Sequence, residues 1–152
     1  MLYVLLLKHC LLFPIYLQVQ NTVSMIKLLF LMTGGALGTL ARYAASGLAH
    51  KWTETLFPIG TLLVNSAGSL MIGIVWALWE DSSVPGYIRT FLFIGFFGGF
   101  TTFSSFSLET LNLIRDNETG LALINILANN ILGIVFVFAG FFATHFLMNA
   151  MK

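Results

Sequence analysis

The sequence predicts an all-α membrane protein with four transmembrane helices per subunit, the third broken at mid-membrane. Three observations carry this. Charged residues are 9% of the chain and apolar ones 58%, against roughly a quarter charged in soluble domains, so the chain cannot coat a water-facing surface. Four apolar runs reach the length of about 20 residues that a spanning helix needs. One of them carries its poorest helix formers and most of its hydroxyls in its middle.

The first residues, MLYVLLLKHCLLFPIYLQVQ, are apolar but interrupted by Lys8, His9 and Pro14. No positive region precedes them and no small-residue cleavage site follows, so they do not read as a signal peptide. An interfacial helix, a poor fifth span and upstream sequence from an early start codon are the readings open. Met25-Ile26-Lys27 before an apolar run has the look of a natural beginning, so residues 1–24 are taken as an N-terminal extension and 25–152 as the four-helix domain. Leu28 to Ala49 is the first span, interrupted by Arg42. Ile59 to Trp79 is the second and holds no charge. Thr90 to Leu108 is the third, continuing to about Ile114. Thr119 to Met151 is the fourth, long enough to tilt or protrude. Short connections hold most remaining charges, and Pro58 and Pro85-Gly86 stand at span entrances, where proline is tolerated.

Several function classes are disfavoured by composition. A net charge of +1 offers no basic patch for nucleic acid. His9, His50 and His145 lie far apart without metal-ligand spacing. Cys10 is alone, so no intrachain disulfide forms. No enzyme is expected.

Four spans put Lys27, Arg89 and Lys152 on one side and Arg42, Lys51 and Arg115 towards the other. Orientation follows the excess of Lys and Arg in cytoplasmic loops, and here there is none. Either both orientations form, and two inverted copies pair as an antiparallel dimer, or a weak bias such as Lys8 sets one. Charge alone does not decide.

Membrane helices associate through close packing at small residues. Gly34 and Gly38 make one GxxxG pair, and Gly95 and Gly99 another. Thr61, Asn65, Ser69 and Gly73 share one face of the second span at four-residue intervals. Asn125, Asn129 and Gly133 do the same in the fourth, with Asn130 on a second face. A buried amide without partners costs several kcal/mol in hydrocarbon, so these residues face other helices or water. Interhelical bonding alone would account for any one of them. Two polar stripes together with the hydroxyls of the third span point to a shared polar path. Arg42, near the end of its span, either snorkels or sets a positive charge at a pore mouth. Glu109, the only acid within a span, also sits near an end.

Gly95 to Glu109 reads GFFGGFTTFSSFSLE. Gly98-Gly99 costs about 1 kcal/mol per residue relative to alanine, and Thr101-Thr102 adds β-branching and hydroxyls that compete for backbone bonds. The expected result is a broken helix, which frees carbonyl oxygens for a hard cation and aims a helix N-terminus at anions. Phe103 and Phe106 share a face if the helix resumes. Their ring edges are positive and can solvate a small anion loosely, as conduction requires. Plain packing is the other reading. Asn65 would donate amide N–H groups, and Thr102, Ser104, Ser105 and Ser107 hydroxyls.

At these residues the sequence resembles the small bacterial fluoride channels called Fluc or CrcB. The resemblance runs from about Met25 to the C-terminus, on GGALGTLARY (34–43), GTLLVNSAGS (60–69) and GFFGGFTTFSSFS (95–107). It implies four-helix subunits in antiparallel homodimers with two fluoride paths, in the bacterial inner membrane. It also implies a structural sodium ion at the dimer centre, on carbonyls at the positions of Gly98 and Thr101. By motif, Asn65 resembles the pore-lining asparagine and Phe103 and Phe106 the phenylalanines that meet fluoride. Arg42 and Glu109 match the first-helix arginine and the glutamate beyond the phenylalanines. Many members carry Tyr or another polar residue, then Ser four later, where this chain has Asn125 and Asn129; both can still hydrogen-bond an anion or orient a phenylalanine. The expected function is passive, selective export of fluoride. The alternative is a small proton-coupled multidrug exporter of dual topology, which needs an essential buried carboxylate where only Glu109 is available. A third class is a non-transporting membrane assembly factor.

Overall fold

The structure, a computed structural model, describes residues 25–52, 55–80 and 82–151; the expected extension over 1–24 lies outside the described residues. Four helical spans are present among them. Helix α1 (Met25–Trp52) and α2 (Ile59–Trp79) are continuous. The third span opens with α3 (Gly86–Arg89), continues as a π-helical stretch (Thr90–Phe97) and ends its first half in one α turn, α4 (Gly98–Phe100). It resumes as α5 (Phe103–Arg115), and α6 (Thr119–Ala150) crosses last. At 32 residues, α6 is about 48 Å long against a hydrocarbon core of about 30 Å, so it tilts or protrudes.

The packing is inside-out relative to a soluble domain. Leu40, Ile134, Phe138, Phe142 and Phe146 are exposed, as lipid-facing side chains are, while Thr61, Ser66, Thr102, Thr110, Asn125 and Thr144 are buried. Two seams hold the spans. Helix α1 lies along residues 86–100, and α2 lies along α6. In the first seam the two GxxxG motifs face each other: a methyl on Gly34 or Gly38 would strike the carbonyls of Phe91 or Phe96, and one on Gly99 would sit 2.7 Å from Gly35 O. In the second, Gly73 admits the Val137 carbonyl and Gly140 the Leu70 carbonyl. Such close approach is how helices associate where lipid supplies no hydrophobic contrast.

The turn between α5 and α6 fixes what faces what. Asn117 takes the left-handed conformation (φ 62°), Glu118 N–H donates to Leu113 O at 2.8 Å and Asn117 N–H to Ile114 O at 3.1 Å. This paired closure of a helix C-terminus folds α6 back along α5 and sets Asn125 opposite Thr110.

The break falls at Thr101-Thr102, as expected, and spares Gly98-Gly99, the other pair expected to weaken the helix. Gly98 and Gly99 are helical, because Gly99 is needed for contact with α1. The extended residues are Thr101 (φ −81°, ψ 156°) and Thr102 (φ −147°, ψ 119°), where hydroxyls compete with the helix for backbone groups.

Candidate functional site

Extended backbone inside a membrane leaves donors and acceptors that must find partners within the protein. Thr102 solves this with its own side chain and with Asn65. Its Oγ1 accepts from Ser105 N–H at 3.1 Å and so caps α5. Its backbone N–H donates to Asn65 Oδ1 at 2.8 Å, and its carbonyl accepts from Asn65 Nδ2 at 3.1 Å. One carboxamide thus pairs with the extended residue as a neighbouring strand would. Asn65 Nδ2 also donates to Asn129 Oδ1 at 2.9 Å, which ties α2 to α6.

The carbonyls of Gly98 and Thr101 are left without the donors a continuous helix would aim at them. Thr102 N–H is taken by Asn65, and Ser105 N–H by Thr102 Oγ1. The Thr101 hydroxyl donates back to Phe97 O at 2.9 Å.

Two cavities meet at Thr102, and a third adjoins the second at Glu109. A cleft of about 230 Å³ is lined by Asn65, Ser69, Thr101, Thr102, Phe103, Phe106, Asn129 and Asn130. A second, of about 270 Å³, contains Arg42, Thr39, Ser46, Thr61, Ser105 and Glu109 and shares Thr102 with the first. A third, of about 190 Å³, shares Glu109 with the second and adds Asn112, Asp116 and Glu118. Shared lining residues thus set the cleft beside a chamber with one arginine at Thr102, and that chamber beside an acidic cavity at Glu109. Glu109 Oε1 accepts from the Thr61 hydroxyl at 2.6 Å. In the cleft Phe103 and Phe106 meet edge to face, centroids 5.3 Å apart at 61°. Phe106 is buried, whereas Phe103 stands 76% exposed on the open side.

The structure brings Asn65, Thr102, Phe103, Phe106 and Asn129 to one cleft, with Thr101 on its wall and Arg42, Ser105 and Glu109 in the adjoining chamber. Asn125 is fully buried behind the cleft, donating to Thr110 Oγ1 at 2.9 Å. Ser107 turns to its own helix, donating to Phe103 O at 2.9 Å. Ser69 and Asn130, members of the polar stripes, also line the cleft. Thr110 carries no such pattern in sequence. Its one signal is the four-residue step from Phe106, which puts both on one helix face.

These features define a multi-pass helical membrane protein with a polar cleft built on a broken helix. Comparison with known proteins makes the class specific. The family described as CrcB-like protein, Camphor Resistance (CrcB), matches residues 29–141. The fluoride-specific ion channel FluC of Parabacteroides distasonis is 47% identical over 116 residues, 76% of this chain and 91% of that protein. The FluC proteins of Desulforapulum autotrophicum and Pyrococcus abyssi are 44% and 46% identical over 115 and 114 residues, covering 75% and 74% of this chain and 92% and 91% of theirs. The chain belongs to the CrcB-like family.

Proposed function

We propose that this chain is a passive, fluoride-selective channel that lets cytoplasmic fluoride leave down its electrochemical gradient and so protects against fluoride toxicity. The carrying observation is the cleft where amides, hydroxyls and two phenylalanine edges converge at a break in a spanning helix. The curated relatives named as fluoride channels support the same reading. Fluoride is small and strongly hydrated. A narrow path whose donors and positive ring edges replace its water, each weakly, favours it over larger chloride without trapping it. The path couples to no energy source and performs no bond chemistry.

The working unit in this reading is an antiparallel homodimer in the bacterial inner membrane. Phe103 and the polar Asn130 are exposed at the open side of the cleft; Asn130 Nδ2 donates to Ile126 O at 2.7 Å, yet a polar side chain turned to lipid is still costly. An inverted second copy would cover them, and the even three-to-three distribution of Lys and Arg permits both orientations. Gly98 and Thr101, whose carbonyls lack helical donors, fit the oxygen half of a structural sodium site; the ion would supply charge to hold the two copies, not chemistry.

Fluoride efflux from liposomes, followed by a fluoride electrode, tests the function. The chain is expected to release fluoride and retain chloride. Asn65→Asp, which removes the donor paired to Thr102 and Asn129, and Phe106→Ile, which removes a ring edge, should each abolish most of the flux. Equal chloride and fluoride release, or none of either, would end this reading. Wild-type flux in either variant would end the site assignment.

A further inference from the structure

Five hydrogen bonds run from the break to the floor of the cleft, all pointing the same way. Thr102 N–H donates to Asn65 Oδ1 (2.8 Å), Asn65 Nδ2 to Asn129 Oδ1 (2.9 Å) and Asn129 Nδ2 to Asn125 Oδ1 (2.8 Å). Asn125 Nδ2 then donates to Thr110 Oγ1 (2.9 Å), and Thr110 Oγ1 to Phe106 O (2.8 Å). A carboxamide can be turned end for end with little change in shape, so nothing in an isolated Asn says which end faces an ion. In this chain the direction is set from outside. One terminus is a backbone N–H, which only donates, and the other a backbone carbonyl, which only accepts. Reversing any amide between them would set N–H against N–H and oxygen against oxygen.

The Thr102 end sets the direction, because its N–H and carbonyl both bond Asn65, and Asn129 Nδ2 also donates to Asn125 O at 3.1 Å; the Thr110 end closes the chain in the same sense. The single hydroxyl hydrogen of Thr110 is given to Phe106 O, so its oxygen is left to accept, and Asn125 must present Nδ2 to it. Asn125 Oδ1 then faces Asn129, and Asn129 Oδ1 faces Asn65. Asn125 is 0% exposed, so water does not substitute for a missing link. Aligned bonds in a low-dielectric interior also polarise one another.

Building on the fluoride-channel reading, we propose that Thr110 is a positioning residue: its hydroxyl takes the last amide hydrogen of the Asn65–Asn129–Asn125 chain, whose direction Thr102 sets, and thereby holds the face those amides present to the cleft. Thr110 lines none of the three cavities described above; it acts through Asn125, while its bond to Phe106 O anchors the same chain to the backbone of a cleft phenylalanine.

The test compares full-length Thr110→Val and Thr110→Ser in liposomes. Valine keeps the shape and loses the hydroxyl; serine keeps the hydroxyl. Thr110→Val is expected to lose about tenfold in fluoride efflux, the population change that one lost buried hydrogen bond brings, and to become less selective against chloride. Thr110→Ser should restore both to within about twofold of wild type. Wild-type flux and selectivity in Thr110→Val, or equal loss in both variants, would overturn the proposal. The double variant Thr110→Val with Asn125→Leu leaves no orphaned amide at that link, so it guards against misfolding. Its efflux should match the lower of the two single variants, and a loss equal to their product would also overturn the proposal. Side-chain amide hydrogen exchange of Asn65 and Asn129 by NMR separates this inference from the channel reading. Faster exchange in Thr110→Val alone supports the positioning role even if the wild-type chain passes no fluoride, and unchanged exchange refutes it.

Discussion

The seam between α1 and residues 86–100 and the seam between α2 and α6 are both lined with small residues, yet they are held by different physics. In the first, Gly34 and Gly38 bring α1 against the carbonyls of Phe91 and Phe96, with Gly95 and Gly99 answering from the other side. No side-chain hydrogen bond crosses it among the described residues. In the second, the same spacing carries Asn65 against Asn129 at 2.9 Å, Ser69 beside Gly133, and only then the glycine contacts at Gly73 and Gly140. The first seam is a matter of volume and the second, over its deeper half, a matter of polarity. The helix that breaks belongs to both, because residues 86–100 are clamped by volume while Thr102 is held by an amide. A rigid first half and a hydrogen-bonded break are what a fixed, narrow path through lipid calls for.

Volume changes should therefore be most damaging in the first seam. Gly38→Val would force side-chain atoms against Phe96 O and within 2.9 Å of Phe100 N, both backbone groups that cannot rotate away. A loss of about 3 kcal/mol, the upper end of overpacking costs, is expected. It should be read as a lower unfolding midpoint in detergent and loss of a monodisperse species. A Gly38→Val protein as stable as wild type would mean that the two GxxxG motifs do not clamp these helices.

Polarity changes should matter in the second seam, and with a different signature. Asn129→Leu keeps roughly the same bulk but strips an acceptor from Asn65 Nδ2 and a donor from Asn125 Oδ1. The stability loss should be about 1–2 kcal/mol, since each orphaned buried group is costly but membrane hydrogen bonds average only about 0.6 kcal/mol. Fluoride efflux should fall much further than stability does. Equal proportional losses would reduce the amide chain to ordinary helix packing.

The four spans were legible because hydropathy over twenty residues reports directly on lipid, and the stripes because a four-residue step maps onto one helix face. The break was legible at Thr101-Thr102, but the same reading also put Gly98-Gly99 in it, and these are helical. Gly98-Gly99 looks like the weakest point on propensity alone, yet Gly99 is helical and pressed against Gly35. A local cost of about 1 kcal/mol is outweighed by close packing, which the Gly95–Gly99 pair signals in sequence while its partner, Gly35, shows only in the structure. Asn65 was legible as a polar residue on one stripe of the second span. That it would first serve the backbone of Thr102, on a helix segment 37 positions away, depends on tertiary placement. Thr110 was invisible for a related reason: a threonine bonding back four residues is ordinary in a helix, and only Asn125 arriving from α6 gives it a partner. Whether two copies pair inverted is not written in either seam, because an even charge count removes a bias without supplying a contact.

The gentlest test separates the glycines of the first seam from one another. Gly35 lies between Gly34 and Gly38 in a GGALG run, yet a methyl there meets nothing within 4 Å. Its own Cα and carbonyl are the surface that Gly99 packs on, so its backbone matters while its missing side chain does not. Gly35→Ala removes the entropy penalty of glycine in a helix and fills no occupied space, so it should stabilise by about 0.5–1 kcal/mol and leave efflux unchanged. Gly34→Ala, one residue away, should destabilise, because its methyl strikes the Phe91 carbonyl. Opposite signs at adjacent positions would show that the motif is read by direction and not by composition. If Gly35→Ala instead weakens the protein as much as Gly34→Ala does, the open face of α1 is occupied in the membrane. A change of oligomeric state in the same variant would then place the proposed second copy on that face, rather than over the cleft between α2, α5 and α6.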